Sequence, residues 1–184
     1  MPRTTASPSL QSLPGDPLEI SEGFPAVARE DARILVLGSL PGQRSLACGE
    51  YYAHPRNHFW RIASEVLGVP LDAPYESRLR HLLDRRVALW DVCAAARRRG
   101  SLDADMEAAS VVPNDFAAFF AAHPGIERVC LNGQHAARLY QRLVLPTLPE
   151  RLRTAWTALP STSPAHAAVS FEEKRRAWAL CWAA

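Results

Sequence analysis

The run Ile34-Leu-Val-Leu37 passes directly into Gly38-Ser-Leu-Pro-Gly42, and this junction constrains the chain more than any bulk property. Four consecutive aliphatic residues bounded by a turn read as a strand covered on both faces, the kind found in parallel sheets flanked by helices. The glycines and the proline force a sharp turn at the strand's carboxyl end, where open α/β sheets place their ligand sites. Gly38 and Gly42 carry no side chain, so a ligand can approach the backbone there. The segment that follows concentrates chemistry: Tyr51, Tyr52, His54, Asn57 and His58 precede Phe59-Trp60.

Downstream, apolar runs alternate with helical periods. The pattern predicts strands over 33–37, 87–91, 126–131 and 154–159, and helices near 55–67, 76–85, 114–122, 133–143 and 171–182. Such alternation implies an α/β fold, a three-layer α/β/α sandwich on a short, mainly parallel central sheet. Asn114 after Pro113 is positioned to cap a helix, and Asn132-Gly133 ends a strand at a helix start. Residues 1–28 hold Pro2, Pro8, Pro14, Pro17 and Pro25 among short polar runs and read as a poorly ordered extension that docks only near its end. A single domain over 29–184 is the expectation, since 184 residues with 48% hydrophobic content are enough to own one core.

The motif segment resembles the uracil-DNA glycosylase superfamily, whose first motif is a strand followed by G-x-[D/N]-P-G or a close variant. Tyr52-Ala-His-Pro-Arg-Asn-His-Phe-Trp60 extends the match to the mismatch-specific uracil and thymine glycosylases. The branch it looks most like is the hypoxanthine-DNA glycosylase group. That group's pattern is met by Gly38 to Gly42, Ser45-Leu46, Tyr51 to Trp60, Leu89 to Val92 and Ser161 to Ala165. The resemblance covers roughly residues 30 to 182.

Breaking a base-sugar bond leaves the sugar oxocarbenium-like while the base departs with developing negative charge, so the site must cradle both and admit one water. The nucleotide must first be extruded from the duplex and its base stacked and read. The resemblance implies a base pocket of Gly38, Ser39, Tyr52 and Asp91, with Tyr52 as the stacking aromatic. Leu40 stands where well-known relatives carry an Asp or Asn that places the water, and leucine cannot do this. In the hypoxanthine branch the asparagine matching Asn57 takes over, which makes Asn57 the candidate catalytic residue; the alternative is that it caps the helix after Pro55 or braces the Gly38 loop. Asp91 can accept the N1 hydrogen of hypoxanthine or bond nearby backbone. Ser161-Thr-Ser-Pro-Ala165 matches the H-P-S-P-L loop that enters the minor groove, with Ser161 for the histidine and Ala165 for the intercalating leucine. Ser161, Ser163, Ala165 and His166 are the implied DNA contacts, unless the serines cap the last helix.

Lysine is nearly absent: of 21 Lys and Arg residues only Lys174 is a lysine, which favours bidentate guanidinium contacts or reflects biased genome composition. Lys174 lies among Glu172, Glu173, Arg175 and Arg176 in what reads as a solvated helix face. Strand cleavage through a Schiff base needs an amine, so a monofunctional hydrolase is expected. Arg97-Arg98-Arg99 beside a turn offers phosphate contacts or a solvated face. The net charge of +2 decides nothing by itself. Cys48, Cys93, Cys130 and Cys181 lie 45, 37 and 51 positions apart, without metal-ligand spacing, so no metal, cluster or cofactor is expected. No signal peptide and no apolar stretch of membrane-spanning length is visible, which suggests a cytoplasmic, nucleoid-associated protein with reduced thiols and no membrane partner.

The expected function is a monomeric, monofunctional glycosylase acting on damaged DNA in base excision repair, most readily on hypoxanthine in deoxyinosine. Removal of uracil or a mismatched pyrimidine is the first alternative, and Leu40 and Ser161 count against it. A protein that binds lesions without cutting is the second, and an α/β enzyme for a small nucleotide is the third.

Overall fold

In the computed structural model, which describes residues 19–183, the aliphatic run forms β2 (Ile34–Gly38) at the centre of the molecule. It is flanked in parallel by β3 (Val87–Asp91) and β6 (Arg128–Asn132), and β7 (Ala155–Leu159) adds to β6, giving the order β3-β2-β6-β7. Every residue of β2 and β3 is buried, as the unbroken apolar pattern requires of central parallel strands.

Alternation along β2 divides the core. Leu35 and Leu37 face one side with Trp90, Val129 and Leu131, against α4 (Phe116–Ala122) and α5 (Gln134–Leu139). Ile34 and Val36 face the other with Leu89 and Cys130, against α2 (Phe59–Leu67), α3 (Tyr75–Asp84) and α6 (Phe171–Trp182). Two helical layers on a parallel sheet are the sandwich that the sequence pattern implies. Helix α6 begins with a reciprocal cap: the Ser170 hydroxyl accepts from Glu173 N, and Ser170 N donates to the Glu173 carboxylate. Tyr140–Val144 continues α5 as a single wider turn, so the predicted 133–143 helix is present in two registers.

A second, three-stranded antiparallel sheet has the order β1-β4-β5, built from β1 (Glu19–Glu22), β4 (Cys93–Arg98) and β5 (Val112–Pro113). Strand β1 lies inside the segment read as an extension, and Val27 bridges Leu89, so residues 19–28 dock along β4 and β3. Residues 1–18, the rest of that segment, lie outside the described residues. A short helix α1 (Gln43–Cys48) follows the first turn. Among the described residues no helix is long and apolar enough to cross a membrane.

Several expectations need correction. Asp115, not Asn114, caps α4 by accepting from Ala118 N; Asn114 instead donates its amide to the Asp91 carbonyl. Arg98 belongs to β4 and is 2% exposed, so it is neither a solvated nor a phosphate-facing group. Lys174 is likewise buried, because the surface of α6 that carries it packs under the 161–166 loop. Cys130 and Cys181 form a disulfide, with Cα atoms 6.8 Å apart, rather than two reduced thiols. Their separation of 51 positions conceals that β6 and the end of α6 are neighbours.

Candidate active site

The carboxyl ends of β2, β3 and β6 open into a cleft of about 460 Å³, lined by the Gly38–Gly42 turn, the Tyr51–Asn57 segment, Asp91, Ser101–Asp103 and the 161–165 loop. It brings together Gly38, Ser39, Tyr52, Asn57, Asp91, Ser161, Ser163 and Ala165, but not His166, whose carbonyl accepts from Lys174 Nζ at 2.7 Å.

The first turn is held from several directions. Val92 N donates to the Gly38 carbonyl and Cys93 N to that of Ser39, so β4 continues the ladder past the strand end. The Ser39 hydroxyl donates to Asp103 Oδ1 at 2.5 Å, and Arg98 donates to the Pro41 carbonyl. Glycine is required at Gly38 because a Cβ there would run into the Asp91 carboxylate. The open space thus serves Asp91 rather than a ligand's approach to the backbone. Gly42 has φ −69° and only ordinary contacts around a hypothetical Cβ, so its position does not demand glycine. Leu40, 6% exposed, contributes to the core as well as to the cleft wall.

Tyr51 and Tyr52 form the aromatic wall. The Tyr52 ring stacks on Phe59 with centroids 4.1 Å apart, and its backbone takes the left-handed conformation, φ 58°. This backbone turn brings two successive tyrosines to the same site. Burial, then the charge of Asp91, makes both hydroxyls harder to ionise; Tyr51 bears on Asp91 and Tyr52 on Asn132, but neither hydroxyl makes a bond of ordinary geometry among the described residues. Asn57 lies at the cleft edge, where its Oδ1 accepts from Phe59 N at 3.0 Å. That bond matches the capping alternative, yet it also fixes the carboxamide and leaves its nitrogen without a protein partner among the described residues.

Asp91 is 3% exposed at the cleft floor, and its Oδ2 makes no hydrogen bond of ordinary geometry among the described residues. Burial first, then the neighbouring Asp103 charge, pushes its carboxyl up to about 7. Sequence reasoning passed over Asp103, since an aspartate after Gly100-Ser-Leu reads as a turn residue. Asn132 was read only as a strand terminus. In the fold it makes two bonds of 2.9 Å to Thr162, one from Thr162 N to Oδ1 and one from Nδ2 to Thr162 Oγ1. The loop tip adds local bonds: Ser161 Oγ accepts from Ser163 N, and Ser163 Oγ from Ala165 N, both at 3.2 Å. His58 N donates to the Thr162 carbonyl at 2.9 Å and so ties this loop to the Asn57 segment.

The sequence pattern of the uracil DNA glycosylase superfamily matches residues 24–184, which takes in every wall of this cleft. The chain belongs to that superfamily. Among its relatives, hypoxanthine DNA glycosylase of Methanosarcina acetivorans is 37% identical over 137 residues, 70% of this chain and 85% of the relative. Hypoxanthine DNA glycosylase of Methanosarcina barkeri is 37% identical over 114 residues, 61% of this chain and 71% of the relative. A solution NMR structure from Methanosarcina acetivorans, provisionally described as a uracil DNA glycosylase, superposes with TM-score 0.72 at 33% identity, covering 89% of this chain and 99% of the other.

Proposed function

We propose that this protein is a monofunctional DNA glycosylase that hydrolyses the N-glycosidic bond of a deaminated base, with hypoxanthine in deoxyinosine as its substrate. The observation that carries the reading is the convergence on one cleft of an aromatic wall, an unpartnered carboxyl at its floor, a fixed asparagine at its edge and a stiff serine loop at its mouth. A flipped base stacks against Tyr52, already backed by Phe59, and presents its edge to Asp91. The Asn57 carboxamide orients the attacking water or the sugar through the nitrogen that its backbone bond leaves available. The 161–165 loop meets the DNA backbone through its serines.

Lys174 is the chain's one lysine, and it is buried with its ammonium on the His166 carbonyl, out of reach of a sugar in the cleft. This supports hydrolysis without a Schiff base. The names of the Methanosarcina relatives support hypoxanthine over uracil.

The test is incubation of the purified protein, with chelator present, with a labelled duplex carrying one deoxyinosine and a matched deoxyuridine duplex, followed by alkali. Cleavage of the inosine strand only after alkali is the expected result. Intact strands in both lanes from folded protein would refute the reading and favour lesion binding without cutting.

A further inference from the structure

The floor of the cleft sets two carboxyl groups against one guanidinium. Arg98 reaches the Pro41 carbonyl with one nitrogen, while its Nε and Nη1 find no partner among the described residues; its charge acts on both Asp91 and Asp103. Asp103 accepts the Ser39 hydroxyl, so one of the two carboxyls is met by a donor, and Arg98 is one cation shared between them. Asp91 remains. Among the described residues it has no cation of its own and no bond of ordinary geometry on Oδ2, the Tyr51 hydroxyl being a donor that bears on it, and Oδ1 fills a packed slot over Gly38. A second uncompensated carboxylate in so dry a place is costly, and the ordinary escape is to keep a proton.

Resting on the glycosylase reading above, we propose that Asp91 works as a neutral carboxylic acid, donating a hydrogen bond to the exocyclic carbonyl of the flipped base while its other oxygen accepts the ring N–H. A deaminated base is a lactam, an N–H beside a C=O, and a carboxylic acid offers the complementary C=O beside an O–H. As the C1′–N bond breaks, its electron pair stays on the base and negative charge grows on that carbonyl. The donor therefore binds more strongly in the transition state than in the ground state. Water supplies the new C1′–O bond and the proton that ends on the base, and Asp91 finishes as it began. The groups facing it are the Tyr51 and Tyr52 hydroxyls from the aromatic wall, Cys93 and Arg98 of β4, and Asp103; burial holds Cys93 neutral, its thiol pushed up to about 12. Asp91 is the group in this set poised to exchange a proton near neutrality.

The experiment is single-turnover base release from a deoxyinosine duplex by the full chain, as wild type, Asp91→Asn and Asp91→Leu, across about pH 5.5 to 9. The wild-type rate is expected to fall about tenfold per pH unit above about pH 7, as the acid form is lost. Asp91→Asn keeps a donor beside an acceptor, so it retains release within about tenfold and loses that limb, whereas Asp91→Leu falls about 100-fold or more. A limb of equal slope left in Asp91→Asn would place the titrating proton on another group and overturn the proposal. A rate that rises through about pH 7, or an Asn variant as damaged as the Leu variant, would overturn the proposal. If no base is released at any pH, the glycosylase reading fails, and binding decides the acid separately. Duplexes carrying deoxyinosine made uncleavable by 2′-fluorination are compared with duplexes carrying unsubstituted purine, which lacks the carbonyl. A preference for the carbonyl base that fades between about pH 6 and about pH 8.5 supports the acid, and a preference that holds or grows refutes it.

Discussion

Replacing Gly38 by alanine tests the packing on which the cleft floor depends. Gly38 pairs with Asp91 across the β2–β3 ladder, and a methyl group there collides with Asp91 Oδ1. The next atoms, Asp91 Cγ at 3.6 Å and the Tyr52 hydroxyl at 3.7 Å, are at ordinary contact distance, so the clash comes from a single oxygen. Asp91 is short and enclosed and cannot swing aside freely, so the cost is that of overpacking, about 1–3 kcal/mol. For a domain of this size each kcal/mol lowers the midpoint by about 2–4 °C, which predicts a drop of about 2–12 °C. In an Asp91→Ala background the colliding oxygen is gone and the same substitution should cost almost nothing. Thermal unfolding of the four proteins, followed by circular dichroism at fixed pH, measures the coupling directly. An equal penalty in both backgrounds, or none in the wild type, would refute the assignment of Gly38's role to Asp91.

Asn57→Ala should reduce base release by about 100-fold or more while lesion binding stays within a few-fold, and loss of the bond to Phe59 N should cost about 1 kcal/mol; a variant that fails to fold would make Asn57 a structural residue. The Asp91 carboxyl, raised from 3.8 to about 7, contributes stability that is fully present below its unfolded value and lost as pH rises through its folded value. Asp91→Asn should therefore gain stability relative to wild type between about pH 4 and about pH 7, by up to about 4 kcal/mol, and a pH-independent difference in denaturation midpoint would contradict this. Reduction of Cys130–Cys181, which closes a loop of 51 positions, should cost about 4 kcal/mol in guanidinium unfolding with and without reductant. The unreduced, unfolded chain should titrate two thiols, Cys48 and Cys93, and a count of four would remove the crosslink from the argument.

The parallel sheet was legible because burial on both faces writes itself as uninterrupted apolar residues, and the four predicted strands of β2, β3, β6 and β7 all form within two residues of their expected bounds. Strand β4 was not legible: Cys-Ala-Ala-Ala-Arg-Arg has neither alternation nor β-branched residues, and it is a strand because β1 and β5 pair with it. The same limit governs charge. A window around Lys174 or Arg98 shows only like-looking neighbours, while their burial is decided by carbonyls supplied from elsewhere, His166 and Pro41. Motif residues such as Tyr52 and Asn57 stood out because their spacing is local. Asp103 and Asn132 did not, since each matters through a partner in another segment, Ser39 and Thr162 respectively.

The paired bonds between Asn132 and Thr162 bear on how such a protein searches DNA. A loop clasped to the sheet on one side, and to the segment before α2 on the other, meets its ordering entropy once, during folding. Under the proposed function, in which the 161–165 loop meets the duplex, each encounter with an undamaged site is then brief and uniform, because no loop must fold onto the duplex and unfold again before the protein moves on. Under that proposal, selectivity is shifted away from the loop and onto the rare event of a nucleotide entering the cleft.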